Sequence, residues 1–218
     1  MVYESLRKEL LFHLQLCKLC PKRTIPLTLQ SRKQFVLYTD ASYGSVKRPD
    51  GSSVLRLGWV LLELATNFRC AWTCDVPQVV IADLPDQNTY ISYGEAFAPF
   101  LAFIQHENLL RCSSIIVFID NVGVLCSLVV GHSRVVDLSL PIYSTILRVA
   151  GLKATVWWEY VDSNANLSDG PSRDGISDPI CKSLGIPVLQ YDWPSIQGVP
   201  VPLKVLCGEI IGEISKLK

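Results

Sequence analysis

Four acidic residues lie at the starts or ends of different predicted elements: Asp40, Glu95, Asp120 and Asp169. The chain is 49% hydrophobic and only 18% charged, and a carboxylate in apolar surroundings costs free energy unless a positive charge neutralises it. Acidic side chains at one edge of a sheet are typical ligands of hard divalent cations such as Mg²⁺. The residue types therefore predict a divalent metal site.

Two of these acids follow apolar runs that read as strands. The runs are FVLYTD (35–40) and SIIVFID (114–120), and each is nearly continuous, as expected for a central strand that is covered on both faces. Asp40 and Asp120 are then predicted at carboxyl ends of strands. If the strands are neighbours, both carboxylates can share a cation in the crevice where open α/β sheets bind ligands.

The other predicted elements surround these two strands. A polar turn (43–53) precedes a hairpin of two strands, 57–64 and 68–74, in which Cys70, Trp72 and Cys74 face the core. Helices are predicted over 3–20, 91–108, 121–131 and 136–150, followed by a strand over 153–161. Pro99 is expected to kink the second helix or to mark a late start. This order predicts an antiparallel edge joined to a parallel half.

Composition narrows the protein class further. The net charge is zero, but residues 1–48 carry nine Lys and Arg against three acids, a balance of +6. That basic segment is compatible with binding of phosphate groups near a metal site. A charged helix face exposed to solvent explains the same charge pattern equally well. No apolar run reaches a membrane span and no signal-peptide core precedes the domain, so we expect an intracellular protein, cytoplasmic or nuclear, without a membrane partner. The eight scattered cysteines fit reduced thiols.

Several polar residues have two possible roles. Ser42 and Asn121 could cap backbone groups or bind substrate. Arg173 could contact phosphate or lie exposed. Asp169 could be a metal ligand or a turn residue, and the following Gly-Pro favours a short turn there. The pair Cys17 and Cys20 lacks a second close pair, which disfavours a structural zinc site.

The acids also occur within motifs, in a recognisable order. The motifs are YTDAS (38–42), Glu95 on the next helix, Asp120-Asn121 at a strand–helix junction, and NLSDGPSR (166–173). In this order they resemble the ribonuclease H domain of retrotransposon and pararetrovirus reverse transcriptases. The likeness covers about residues 35–173, and CPKRTIPL (20–27) looks like the connector that follows a polymerase thumb.

The resemblance implies a fold, a reaction and partners. The fold would be an α/β, RNase H-like domain, with a five-stranded mixed sheet in the order 3-2-1-4-5 and flanking helices. It would span 32–175, between an N-terminal helix and basic connector (1–31) and a C-terminal extension of unknown role (176–218). The activity would be hydrolysis of the RNA strand of RNA/DNA hybrids with two Mg²⁺ ions, or Mn²⁺ in their place, and a reverse-transcriptase polymerase domain would be a partner.

The resemblance also implies residue roles. Asp40 would bridge both ions, Glu95 and Asp120 would complete one site, and Asp169 would help to hold the other. Ser42, Asn121 and Arg173 would contact substrate. Two alternatives stay open: a catalytically inactive interaction or structural module with the same fold, and the same metal chemistry on another nucleic acid, as in resolvases and exonucleases.

Overall fold

The computed structural model describes residues 32–82, 84, 90–196, 199–202 and 205–206, together with the single positions 7, 10, 11 and 14. The helix predicted over 3–20 is described only at those four positions, all of which are helical. Cys17, Cys20 and the connector 20–27 lie outside the described residues. So do residues 203–204 and 207–218 of the C-terminal extension.

The centre of the fold is a six-stranded sheet. Its strands are β1 (Gln34–Lys47), β2 (Ser53–Glu63), β3 (Arg69–Asp75), β4 (Ser114–Ile119), β5 (Thr155–Tyr160) and β6 (Val188–Gln190). They lie in the order β5-β4-β1-β2-β3-β6. The first three strands are antiparallel, and β4 and β5 continue the sheet in parallel from β1. The predicted order 3-2-1-4-5 is confirmed, and β6 adds a sixth strand parallel to β3.

Helices occupy the connections between strands. They are α1 (Gln78–Ala82), α2 (Ile91–Gln105), α3 (Glu107–Leu110), α4 (Val122–Val130), α5 (Val136–Leu152), α6 (Asp169–Arg173) and α7 (Pro179–Ser183). Helix α2 begins at Ile91 and continues through Pro99 as one element. Helix α4 ends at Gly131, whose φ of +82° is the left-handed conformation that favours glycine at a helix end. A small hairpin follows β6, formed by β7 (Ser195–Ile196) and β8 (Val199–Pro200).

Strand β1 is longer than its sequence predicts. The apolar run was expected to end at Asp40, with a polar turn from Tyr43, but the strand continues to Lys47. The physical reason is its second neighbour: β2 pairs with β1 as far as Tyr43 and again at Lys47, whereas the described pairing with β4 stops at Tyr38. Asp40 therefore lies within β1, just beyond the parallel pairing, rather than at the end of the strand.

Both faces of the sheet near β3 are buried. One face packs under α2 and α5, and Cys70, Trp72 and Cys74 join that core as predicted. On the opposite face Ala71 packs with Cys181 and Ile186 in a second apolar cluster. The period-two pattern predicted only one buried face, because it could not show that residues after 178 return to cover the other. This cover comes from the segment whose role the sequence left open.

The thiols in the described part of the chain are all free: Cys70, Cys74, Cys112, Cys126 and Cys181. Among the helices of the described residues, none has the length and apolar character to cross a bilayer.

Candidate metal centre

Strand pairing places Asp40 beside Asp120. The parallel pairing of β1 with β4 brings Tyr38 opposite Phe118, and their rings stack with centroids 4.9 Å apart. Two residues further along each chain come Asp40 and Asp120. Because side chains alternate along a strand, residues two apart return to the same side, so the register that stacks the rings also brings the two carboxylates level.

Glu95 reaches the same place because α2 passes very close to the sheet. A Cβ atom on Gly94 would lie 2.5 Å from the Cβ of Ala41 and 2.8 Å from the side chain of Leu55. Only glycine permits that approach, and it puts the next residue, Glu95, against the strand segment that contains Asp40. The close packing of α2 on β1 therefore positions the third carboxylate.

The three carboxylates form one group. Asp40, Glu95 and Asp120 each offer an oxygen, and these oxygens all lie within 4.8 Å of one another. Asp40 and Glu95 are each only 4% exposed, and Asp120 is half-buried. Like charges at this separation repel strongly unless protons or a cation offset them.

Burial and mutual repulsion are visible in the pKa values. Burial, with the negative charges of Asp40 and Asp120, raises the pKa of Glu95 to about 10. Burial also raises the pKa of Asp40 to about 6, with further contributions from Asp120 and Asp169, against a lowering by a hydrogen bond from Ser172. Without a cation Glu95 therefore holds a proton at neutral pH.

Unpaired oxygens show that the group suits a metal ion. Among the described residues, Glu95 Oε2 and Asp120 Oδ1 are buried atoms without a hydrogen-bond partner. A buried acceptor that lacks a donor costs free energy, and a cation would relieve that cost at both atoms. An all-oxygen donor set of carboxylates fits Mg²⁺ or Mn²⁺ rather than a softer metal.

Asp169 does not join this group. It begins the five-residue helix α6, and its Oδ1 accepts a hydrogen bond from Arg173 Nε at 2.7 Å. The short helix agrees with the prediction from Gly170-Pro171. Asp169 is nevertheless near enough to raise the pKa of Asp40, and the three acids Asp169, Asp40 and Asp120 all raise the pKa of Arg173. The fourth acid thus lies beside the carboxylate group, paired with an exposed cation.

The other predicted site residues have identifiable partners. Ser42 is buried and its hydroxyl donates to the carbonyl oxygen of Ser172 at 2.6 Å. Asn121 caps α4, where its side-chain oxygen accepts from the backbone N–H of Val124 at 3.1 Å. Arg173 is paired with Asp169, but its side chain is 59% exposed, which leaves it accessible to a phosphate.

Two residues in the last motif were given no role by the sequence, yet they bind β1 next to Asp40. The buried Asn166 donates from Nδ2 to the carbonyl oxygen of Thr39 at 3.2 Å. The buried hydroxyl of Ser172 donates to Oδ2 of Asp40. The signal was present, since both residues stand in the motif N-x-x-D-x-x-S-R of residues 166–173.

Asn121, the residue that follows Asp120, lines an open cavity of about 570 Å³. Ser92 from the first turn of α2 also lines it, together with the exposed side chains of His132 and Arg134 after α4. The cavity combines hydrogen-bond donors with a cation. These are the groups that proteins use to contact phosphate and sugar.

Comparison with known proteins finds a likeness in structure. No family model and no curated protein matches the sequence. RNase H1 from the halophilic archaeon Halobacterium salinarum is 14% identical, covering 65% of this chain and 98% of that one, with a TM-score of 0.48. The N-terminal RNase H domain of a Mycobacterium tuberculosis protein is 12% identical, covering 65% and 94%, with a TM-score of 0.44.

A viral structure is also similar. The prototype foamy virus protease-reverse transcriptase is 17% identical, covering 75% of this chain but only 22% of that one, with a TM-score of 0.39. At such identities the likeness concerns the fold alone. The strand order of the sheet, with three antiparallel strands followed by two parallel ones, agrees with the arrangement that the resemblance in sequence predicts.

Proposed function

We propose that the protein is a divalent-metal-dependent nuclease of the ribonuclease H type, which hydrolyses the RNA strand of RNA/DNA hybrids. The observation that carries this proposal is the convergence of Asp40, Glu95 and Asp120, two of which have buried oxygens without hydrogen-bond partners among the described residues. A purely structural role gives no reason to gather three carboxylates within 4.8 Å of one another, two of them almost fully buried.

The carboxylates of Asp40, Glu95 and Asp120 would hold the metal. Asp169 would become a further ligand once its ion pair with Arg173 is broken. Bound divalent ions supply activation of the attacking water and stabilisation of the leaving oxygen. The protein contributes rigid placement, because Asp40 and Asp120 belong to paired strands and Glu95 to a helix packed on them. Placement of reacting groups accounts for a large part of phosphoryl-transfer catalysis.

Substrate binding would use the cations around the acids. Arg173 lies beside the carboxylates, and Arg134 lines the neighbouring cavity. Both can contact backbone phosphates without reading bases. Selection of RNA would depend on the 2′-hydroxyl and on the A-form shape of the hybrid. The basic segment within 1–48 would add further contacts to the phosphates. The proposed protein partner is a reverse-transcriptase polymerase domain, since the motifs suggest a retroelement origin.

A second candidate is a catalytically inactive module with the same fold. The ion pair between Asp169 and Arg173 favours it, because a cation already neutralises the fourth carboxylate. Under this alternative the domain binds nucleic acid or a protein without cleaving. The two candidates differ in one measurable property, which is metal-dependent hydrolysis.

The deciding experiment measures cleavage of a labelled RNA/DNA hybrid with Mg²⁺ or Mn²⁺, beside duplex DNA and single-stranded RNA. We expect hybrid cleavage by the unmodified protein and its loss in Asp40→Asn. Asp50→Asn is the matched control, because Asp50 is an exposed turn residue whose bond to the backbone of Ser52 an asparagine can keep. No metal-dependent cleavage by the unmodified protein would contradict the nuclease, and preferred cleavage of duplex DNA would reassign the substrate.

A further inference from the structure

The motif NLSDGPSR (166–173) contacts the carboxylate group through the side chain of Ser172. It is fully buried, and its hydroxyl oxygen lies within hydrogen-bond distance of Asp40 Oδ2 and of the carbonyl oxygen of Asp169, the latter at 2.9 Å. A hydroxyl has one proton to donate. A hydrogen bond to an ionised carboxylate is stronger than one to a carbonyl oxygen. The Ser172 hydroxyl therefore donates to Asp40 when that carboxyl group is ionised.

The position of Ser172 depends on very close packing of α6 against β2. A Cβ atom on Gly58 would lie 2.5 Å from the backbone nitrogen of Ser172 and 2.7 Å from the carbonyl oxygen of Ser168. Gly58 is also the residue that pairs with Asp40 across β1 and β2. The absence of a side chain at Gly58 therefore opens the space through which Ser172 reaches Asp40.

Two further hydrogen bonds hold the motif on β1. Ser42 donates to the carbonyl oxygen of Ser172, and Asn166 donates to the carbonyl oxygen of Thr39. Asn166 is itself held, since its Oδ1 accepts from the N–H of Ser168 at 3.2 Å and from the Ser168 hydroxyl. These bonds attach the motif on either side of Asp40, and Ser172 makes the contact with its carboxylate.

We propose that Ser172 is a positioning residue of the metal centre, which holds one oxygen of Asp40 so that the carboxylate is already oriented when a divalent ion binds. This inference rests on the proposed metal-dependent nuclease. A carboxylate held by a donor loses less rotational freedom on binding an ion, and partners of this kind change metal affinity by about 10–100-fold. In this role Ser172 acts through Asp40.

The test is a titration of the folded protein with Mn²⁺, followed by electron paramagnetic resonance, in Ser172→Ala and Ser172→Cys. The Ala variant removes the donor, and the Cys variant fills the same space with a weak donor, so that one variant remains informative if the other misfolds. We expect each folded variant to bind Mn²⁺ about tenfold or more weakly than the unmodified protein. Ser172→Thr, which restores a hydroxyl, should recover part of the affinity.

Ser144→Ala is the matched control for the loss of a buried hydroxyl. Ser144 is equally buried, but its hydroxyl donates only to the carbonyl oxygen of Leu140 in α5. This control should lose stability to thermal unfolding without any change in Mn²⁺ affinity. Equal Mn²⁺ affinity in the Ser172 variants and the unmodified protein would overturn the positioning role alone. Failure of the unmodified protein to bind Mn²⁺ would instead overturn the proposed metal centre.

Discussion

The acidic residues of the centre have two kinds of support. Asp40 and Glu95 lie on long elements, a strand of 14 residues and a helix of 15, whereas Asp169 lies on a helix of 5 residues. The first two residues are almost fully buried, and Asp169 is partly exposed and paired with Arg173 one helical turn away. Long elements fix a side chain through pairing and packing along their whole length. The short helix α6 has fewer such contacts, and the Asp169 carboxylate itself is held by its local ion pair with Arg173.

The comparison explains why three acids converge without a cation and the fourth does not. The carboxylates of Asp40, Glu95 and Asp120 lie together because strand pairing and the close packing of α2 place them there, and a proton on Glu95 relieves part of their repulsion. Asp169 has a local cation at the i+4 position, and exposed pairs of this kind contribute only about 0.3–0.5 kcal/mol. The ion pair is therefore weak enough for Asp169 to exchange Arg173 for a metal ion.

The largest expected effect is the difference in hybrid cleavage between a variant of Glu95, which lies on a long helix, and a variant of Asp169, which lies on a short one. Glu95→Gln removes a charge that no other described residue replaces, so hybrid cleavage should fall by about a thousandfold or more. Asp169→Asn should reduce cleavage by about 10–100-fold, because the other three carboxylates still hold an ion. Initial rates at saturating Mg²⁺ measure both variants. Equal losses would contradict the distinction between the two kinds of support.

The second expected effect is a pH dependence of stability that comes from the buried group. The folded pKa of Asp40, about 6, lies above its ordinary value of 3.8. The folded state therefore favours the protonated carboxyl, and its stability should fall as pH rises from about 4 through 6. A shift of this size corresponds to about 3 kcal/mol. The raised pKa of Glu95 should continue the decline towards pH 10.

Urea unfolding at pH 4.5 and at pH 7.5 measures this dependence, in the unmodified protein and in Asp40→Asn without divalent ions. The variant cannot ionise at this position and should lose less stability with rising pH. Added Mg²⁺ should reduce the loss in the unmodified protein alone. The same pH dependence in both proteins would show that the buried carboxylate is not its source.

The third effect concerns the close approach of α2. In Gly94→Ala the new methyl group would contact Ala41 and Leu55, so α2 must move outward and carry Glu95 with it. Overpacking of this kind costs about 1–3 kcal/mol. We expect a lower midpoint of urea unfolding and a weaker Mn²⁺ affinity together. A variant that loses stability but binds Mn²⁺ normally would contradict the view that Gly94 sets the position of Glu95.

The smallest expected effect concerns the proposed exchange in which Asp169 gives up its ion pair with Arg173 and binds a metal ion. Arg173→Ala frees that carboxylate for a metal ion but also removes a cation that could bind phosphate. We expect a KM for the hybrid several-fold higher, and an Mn²⁺ affinity equal to or slightly above that of the unmodified protein. Because the ion pair is exposed, the change in stability should lie within about 0.5 kcal/mol. A clear fall in Mn²⁺ affinity would mean that Arg173 supports the metal site instead of competing for it.

Much of the architecture followed from local patterns. The apolar runs before Asp40 and Asp120 predicted two central strands, and the element order predicted an antiparallel edge joined to a parallel half. The order of the first five strands followed from the resemblance of the motifs. Each of these signals lies in a few consecutive residues or in their succession. The proposed roles of the four acids rest on the same motifs, and those roles stay predictions for the experiments above.

Other features could not be read from consecutive residues. Strand β1 continues past Asp40 because β2 pairs with it, and β3 is covered on its second face by residues about a hundred positions later, such as Cys181. Ser172 reaches Asp40 across 132 positions, through a space that exists because residue 58 is glycine. The sequence alone determined which residues could bind a cation and which segments would carry them. The tertiary structure decided which carboxylates meet and which residue orients them, since those distances depend on packing between segments far apart in the chain.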